Sequence, residues 1–157
     1  MTDEDQILAL HQAWFDAAAN LDVEGAREVT VAGEHYLMFN TNGHVYEGFD
    51  EMAQLWRHYG ETIALSTCQD DAKPVVTVDG NLAVLTCKRE FMDISPLRSE
   101  GLGSSVMAPL DEEKPTRYPF FATEVYRRDD GAGNADWRIW QQHFSVIAPA
   151  DEPRPGF

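Results

Sequence analysis

The sequence predicts an α+β domain, with N-terminal helices packed on one face of a strongly curved, mostly antiparallel sheet. Three observations carry this expectation. Helical spacing of apolar residues occupies the first part of the chain, up to about Gly60. Within that part, Asn42-Gly43 separates two strand-like runs, the strongest short hairpin signal. From Ile63 onward the chain reads as long strands divided by turn residues. Strands that follow helices, rather than alternate with them, favour an α+β layering.

Each element has a local cause. Thr2 precedes Asp3, Glu4 and Asp5, so a Thr cap meets acids in the first turn. Ile7, Leu10, His11, Trp14, Ala18 and Leu21 then follow helical spacing, which predicts a helix from Thr2 to Asn20. Asp22 can cap a short second helix reaching Thr30, and Gly33 ends the helical region. The hairpin follows over 34–41 and 44–48. With Asn42-Gly43 as a two-residue turn, Thr41 faces His44 and Phe39 faces Tyr46. Phe49-Asp50 opens a third helix that carries Phe49, Met52, Ala53, Trp56 and Tyr59 on one side, with Gly60 as its stop. A long strand spans Ile63 to Val78, interrupted near Lys73-Pro74, and turns at Asp79-Gly80-Asn81. Strands over Leu82–Ile94, Tyr118–Arg128 and Trp137–Val146 complete the domain, with a loop at 129–134. Residues 95–116 are long for a hairpin connection and read either as a lid or as disorder. Residues 149–157 hold three prolines and read as a tail beyond a domain of 1–148.

Composition limits the function. A chain of 157 residues fits one domain, and 43% apolar residues can build a sizeable core. The formal charge of −15 repels nucleic acid. No apolar run reaches the length of a membrane span, and no signal sequence opens the chain, so a cytoplasmic protein is expected. Cys68 and Cys87 lie in apolar strand segments without metal spacing and read as core thiols. There is no HExxH, phosphate-cradling glycine loop, dinucleotide fingerprint or nucleophile elbow.

The final strand, Trp137-Arg138-Ile139-Trp140-Gln141-Gln142-His143-Phe144-Ser145-Val146, is the most informative stretch. Regular alternation would place Ile139, Gln141, His143 and Ser145 on one face and Trp140, Phe144 and Val146 on the other. A polar row of that kind suggests the wall of a small-molecule pocket.

Several segments, in this order, resemble the SnoaL-like branch of the nuclear transport factor two-like, ketosteroid isomerase-like superfamily. They are Trp14-Phe15 in the opening helix, His44-Val-Tyr-Glu-Gly-Phe49 leading to Trp56, Asp79-Gly-Asn-Leu-Ala-Val84, Ala122-Thr-Glu-Val-Tyr-Arg127 and the closing Trp137-to-Ser145 strand. The resemblance spans most of residues 3–148. It implies a cone-shaped roll with a pocket between the concave sheet and the helices, usually without metal or organic cofactor. It also implies proton transfer at carbon as the recurring chemistry, and frequent homodimers. Members include isomerases, cyclases, dehydratases, epoxide hydrolases, other lyases and non-enzymatic domains, so fold does not settle function. The isomerase machinery is not carried over. Asn40 stands roughly where that enzyme has its base carboxylate, and Trp14 and Phe15 where it has a tyrosine donor.

The site residues expected from the sequence follow. His143 is the leading general acid/base, since an imidazole titrates near neutrality. Tyr46, Arg89 or Arg117 would stabilise a developing oxyanion. Trp14, Asn40, Trp56, Tyr59, Phe91, Phe121 and Gln141 would contact an aromatic substrate. Tyr46 and His44 share a hairpin face with Phe39, while Tyr36 and Asn40 lie on the opposite one. Glu124 and Asp93 are alternative bases. These residues point to a cofactor-independent lyase or isomerase, forming a homodimer, that acts on a hydrophobic, aromatic or polyketide-like small molecule. A non-catalytic binding or assembly domain of the same fold is the alternative.

Overall fold

Thr2 starts the first helix by a reciprocal cap. Its Oγ1 accepts from the Asp5 amide at 3.1 Å, and the Asp5 carboxylate accepts from the Thr2 amide at 2.8 Å. In this computed structural model, residues 1–70, 73–96 and 116–147 are described, without the side chains of 65–70, 89–92, 96 and 116. Expectations about a lid at 95–116 and a tail at 149–157 therefore fall almost wholly outside the described residues.

The elements are α1 (Asp3–Asn20), α2 (Val23–Val29), a 3₁₀ turn (Gly33–His35), β1 (Leu37–Phe39), β2 (Val45–Glu47), α3 (Phe49–Thr62), β3 (Ile63–Asp70), β4 (Val75–Asp79), β5 (Leu82–Pro96), β6 (Thr116–Arg128) and β7 (Trp137–Val146). Asp22 caps α2 by accepting from the Gly25 amide. Gly60 does not end α3, which runs one further half-turn to Thr62. A glycine in a helix interior costs stability but does not break it where the flanking turns are packed, and Trp56 is buried one turn earlier.

The sheet order is β2-β1-β7-β6-β5-β3, with β4 also on β5. All pairings are antiparallel except β1 with β7. β3 and β4 pair with opposite ends of β5, so they behave as the interrupted long strand the sequence predicts. The helices cover one face. Between them and the sheet lie Ile7, Trp14, Phe15, Met38, Met52, Trp56, Leu85, Cys87, Phe120, Ile139 and Phe144, all buried. Trp14 stacks on Phe144 with centroids 5.3 Å apart and meets Trp56 edge-on at 5.6 Å.

Two departures from regular strand geometry decide which residues face inward. The hairpin loop has three residues, not two. The Asn40 amide donates to the His44 carbonyl at 3.0 Å, and β1–β2 pairs Met38 with Tyr46 and Phe39 with Val45. The expected Phe39–Tyr46 pairing is thus off by one residue. The cause is Asn42. Its Oδ1 accepts from the His44 amide at 3.0 Å, and Gly43 takes φ 80° to close the loop. The second departure is in β7. Tyr126 pairs with Ile139 and Val125 with Gln141, so Trp140 is an extra residue, a β-bulge. Before it the odd positions Trp137 and Ile139 are buried; after it the even positions Gln142 and Phe144 are.

Candidate functional site

The bulge at Trp140 changes the candidate site. One extra residue moves every later side chain to the other face. His143, expected to face inward with Ile139, is instead on the outer, exposed face. Its Nε2 lies 3.0 Å from Ser145 Oγ, and its ring packs beside Phe39 at 5.4 Å. Gln142 takes the interior place.

Gln142 belongs to a fully buried polar cluster. The Glu124 carboxylate on β6 accepts three hydrogen bonds: from His11 Nδ1 at 2.8 Å, from the Tyr126 hydroxyl at 2.5 Å and from Gln142 Nε2 at 2.5 Å. The Tyr36 hydroxyl in turn donates to Gln142 Oε1 at 2.5 Å. All five residues are at most 2% exposed. The local sequence explains the convergence. Glu124 and Tyr126 are two apart on one strand face, Gln142 is directly across from Glu124, and His11 lies on the buried stripe of α1.

Beside a carboxylate, His11 Nδ1 is the donor, which in a neutral ring puts the lone pair on Nε2. The carboxylate is placed to stabilise an imidazolium if that nitrogen takes a proton. Tyr36 is held neutral: burial, and then the Glu124 charge, push its phenol well above the ordinary value. The Trp14 indole N–H is buried without a hydrogen bond of good geometry, yet it is close enough to the Tyr36 oxygen to oppose that rise slightly.

A second cluster lies on the same interior face. Asn42 Nδ2 donates to the Tyr46 hydroxyl at 2.7 Å and to the Tyr59 hydroxyl at 3.3 Å. Burial raises the Tyr59 pKa; the hydrogen bond from Asn42 opposes this most, ahead of that from Asn40. The three-residue loop therefore corrects another expectation. Asn40 and Tyr36 are not opposite Tyr46 but share its face, because Met38 is its cross-strand partner. One register row crosses the sheet from Tyr46 through Met38, Gln142 and Glu124 to Leu85.

The remaining expected residues are dispersed. Trp14 and Trp56 are buried against each other beneath α1 and α3. Trp56 also lines a surface groove of about 490 Å³ with Ala19, Asn20, Leu21, Arg57, Gly60, Ile63 and Ala64. Arg117 forms a two-bond ion pair with Asp93, at 2.7 and 2.8 Å, on a largely exposed edge. Phe121 is 45% exposed on the outer face, and Gln141, half-buried, is in register with Leu37 and Val125 there. The side chains of Arg89 and Phe91 are outside those described. Among the described residues, no three His, Cys, Asp or Glu side chains are placed to hold a metal ion.

Sequence reasoning therefore singled out Tyr46, Tyr59 and Asn40, which the structure brings together, and it weighed Glu124. Tyr36 is expected only as part of the alternative hairpin face and His11 as a core residue, while Tyr126 and Gln142 are not among the expected site residues. One signal was available: His11 sits on an apolar helical stripe while Glu124 sits on an apolar strand, and a buried base and acid must find each other.

Comparison with known proteins agrees with this architecture. A family model described as a SnoaL-like domain matches residues 7–149. No curated protein matches the chain. Among solved structures, a nuclear transport factor 2 (NTF2-like) superfamily protein from Salmonella enterica superposes with a TM-score of 0.75 at 17% identity, over 98% of this chain and 96% of that one. A ketosteroid isomerase-like protein from Erwinia carotovora gives 0.68 at 15% identity, over 95% and 100%. A proposed dehydratase of the NTF2-like family from Streptomyces avermitilis gives 0.62 at 16% identity, over 92% and 96%. At these identities the likeness is one of fold.

Proposed function

The chain belongs to the SnoaL-like family, and we propose that it is a lyase or isomerase that moves a proton at carbon of a hydrophobic, aromatic or polyketide-like small molecule. The observation that carries this reading is the Glu124 cluster. A buried carboxylate with a buried histidine is costly to fold, and apolar residues of similar volume commonly serve stability better. Such clusters concentrate where proton chemistry is done. In this reading Glu124 orients His11, and His11 Nε2 exchanges the proton with substrate. Tyr36, kept neutral, donates to Gln142 Oε1; in this reading its hydroxyl turns from that acceptor to the oxygen on which charge develops. The role first expected of His143 passes to His11, because His143 is on the outer face.

Proton abstraction at carbon can be tested before the substrate is known. A panel of aromatic ketones and diketones in D₂O is followed by proton NMR for loss of the hydrogens next to the carbonyl. Catalysed exchange with at least one member is expected. His11→Gln retains ring-sized volume and hydrogen bonding but cannot shuttle the proton, so exchange should fall by roughly two to four orders of magnitude. Equal exchange by wild type and His11→Gln would sink the reading. One observation favours the non-catalytic alternative: the cluster is enclosed by aromatic packing, with His11 edge-on to Phe15 at 4.8 Å. If it is purely structural, Glu124→Gln lowers the melting temperature but leaves ligand affinity unchanged.

A further inference from the structure

We propose that Tyr46 and Tyr59, bridged by Asn42, form a subsite for an anionic oxygen, phenolate or carboxylate, carried by an aromatic ring. This deepens the reading above by naming one end of its ligand.

The single Asn42 amide nitrogen spends both its N–H bonds on the two phenol oxygens. Each phenol therefore accepts, and its own proton must be donated elsewhere. Neither Tyr46 nor Tyr59 donates to any acceptor among the described residues. Two hydroxyl donors are thus held in place by the Asn42 amide, with the Asn40 side chain also at the Tyr59 hydroxyl, and no acceptor for either proton among the described residues. Asn42 itself is locked, since its Oδ1 holds the His44 amide and the residue is 9% exposed. The pair is half-buried rather than enclosed, so a ligand can reach it.

The geometry suits an oxyanion. Both phenol oxygens are within hydrogen-bond distance of one nitrogen, so a carboxylate, or a phenolate between them, can meet both hydrogens. Neutral donors bind an anion without adding a charge that would need its own partner. Trp56, one helical turn before Tyr59 on α3, is buried against Trp14, so the ligand's ring would lie against the half-buried phenol rings themselves. Position sets the length of the ligand. Tyr46 stands in the same cross-strand row as Gln142 and Glu124, two strands from the first and three from the second. At one strand spacing each, that is roughly 10 to 15 Å, the span of two to three fused rings.

The test uses 4-nitrophenol, whose anion and neutral form differ in colour, and 4-nitrobenzoate as a carboxylate arm. With the whole chain, bound 4-nitrophenol should be richer in phenolate than the free compound at the same pH by about tenfold or more, the size expected of a hydrogen bond to a charged acceptor. The overall charge of −15 acts against any anion, so a preference must come from local donors. Tyr46→Phe and Tyr59→Phe should each reduce the preference several-fold, and together remove it. 4-Nitrobenzoate should compete. Melting temperatures of the variants verify that they fold. Absence of binding, equal binding of both forms, or a preference that survives the double variant overturns the proposal. Phenolate preference that persists in His11→Gln supports it independently of the proton-transfer reading. Loss of exchange in His11→Gln without any phenolate preference overturns the subsite alone.

Discussion

At the residue scale, Glu124 shows how much one buried charge can organise. It satisfies donors from α1, β6 and β7 at once. Glu124→Leu removes the acceptor and strands three buried donors, so unfolding free energy should fall by about 3–5 kcal/mol. Urea unfolding followed by tryptophan fluorescence measures this, and a loss below about 1 kcal/mol would contradict the shared-acceptor picture. Asp130 offers a pH-dependent counterpart. Its carboxylate accepts from the Ala132 and Asn134 amides and from the Asn134 side chain, which lowers its pKa from 3.8 to about 2. A depressed carboxylate pKa contributes stability that is present above 3.8 and lost as pH falls through about 2. The melting temperature of Asp130→Ala should therefore lie below wild type by a constant amount above about pH 4, with the gap closing toward pH 2. A gap that does not change with pH would show that the carboxylate charge is not what holds the loop.

At the element scale, the loop between β6 and β7 is a clasp. The Ala32 amide donates to the Asp130 carbonyl at 3.0 Å, and the Val31 amide donates to the Ile139 carbonyl at 2.9 Å. Gly131 lets these segments approach. It has φ +77°, and a Cβ there would sit 2.8 Å from Val31 Cγ2 and 3.1 Å from the Ala32 carbonyl oxygen. Gly131→Ala should destabilise by roughly 2–4 kcal/mol, combining backbone strain with the clash. Gly133→Ala has φ +101° but nothing within 4 Å of its Cβ, so it should cost only the strain, about 1–2 kcal/mol. Comparison of the two urea midpoints checks this; equal midpoints would remove the clash from the account. The bulge at Trp140 acts at the same scale. The extra indole donates to the Asp129 carbonyl at 2.8 Å and packs between His35 and Arg127, so the bulge is anchored rather than a slip.

At the scale of the whole molecule, the outer sheet face contrasts with the rest of an acidic chain. In register across it run Val75, Thr86, Thr123, His143, Phe39 and Val45, and beside them Thr77, Val84, Val125, Gln141, Leu37 and Glu47. Glu47, on the edge strand, is the one carboxylate of these two rows. Two copies of a chain of charge −15 repel each other least where they meet on such a face. We propose that the expected homodimer would form through this surface, with Phe121, 45% exposed, within it. Light scattering at micromolar concentration should give twice the chain mass, and Phe121→Lys should give one chain mass. A wild-type monomer under those conditions would refute the pairing. No helix is long and apolar enough to cross a membrane among the described residues.

The sequence alone determined the fold class, the order of the elements and most helix ends, because caps, the hairpin signal and hydrophobic period are local properties carried by neighbouring residues. Thr2, Asp22 and the Phe49–Tyr59 stripe were readable for that reason. It also pointed to Tyr46, Tyr59, Asn40 and Glu124 as residues to weigh. Only the tertiary structure decided which faces are interior. A single inserted residue at Trp140, and a three-residue loop stabilised by the Asn42 side chain, each reversed the alternation that a regular strand would follow. The bulge engages distant partners, His35 and Arg127, and the loop turns on one side-chain bond, from the His44 amide to Asn42 Oδ1, that strand alternation does not reveal. For the same reason the pairing of His11 with Glu124, 113 residues apart, was settled by packing and not by spacing.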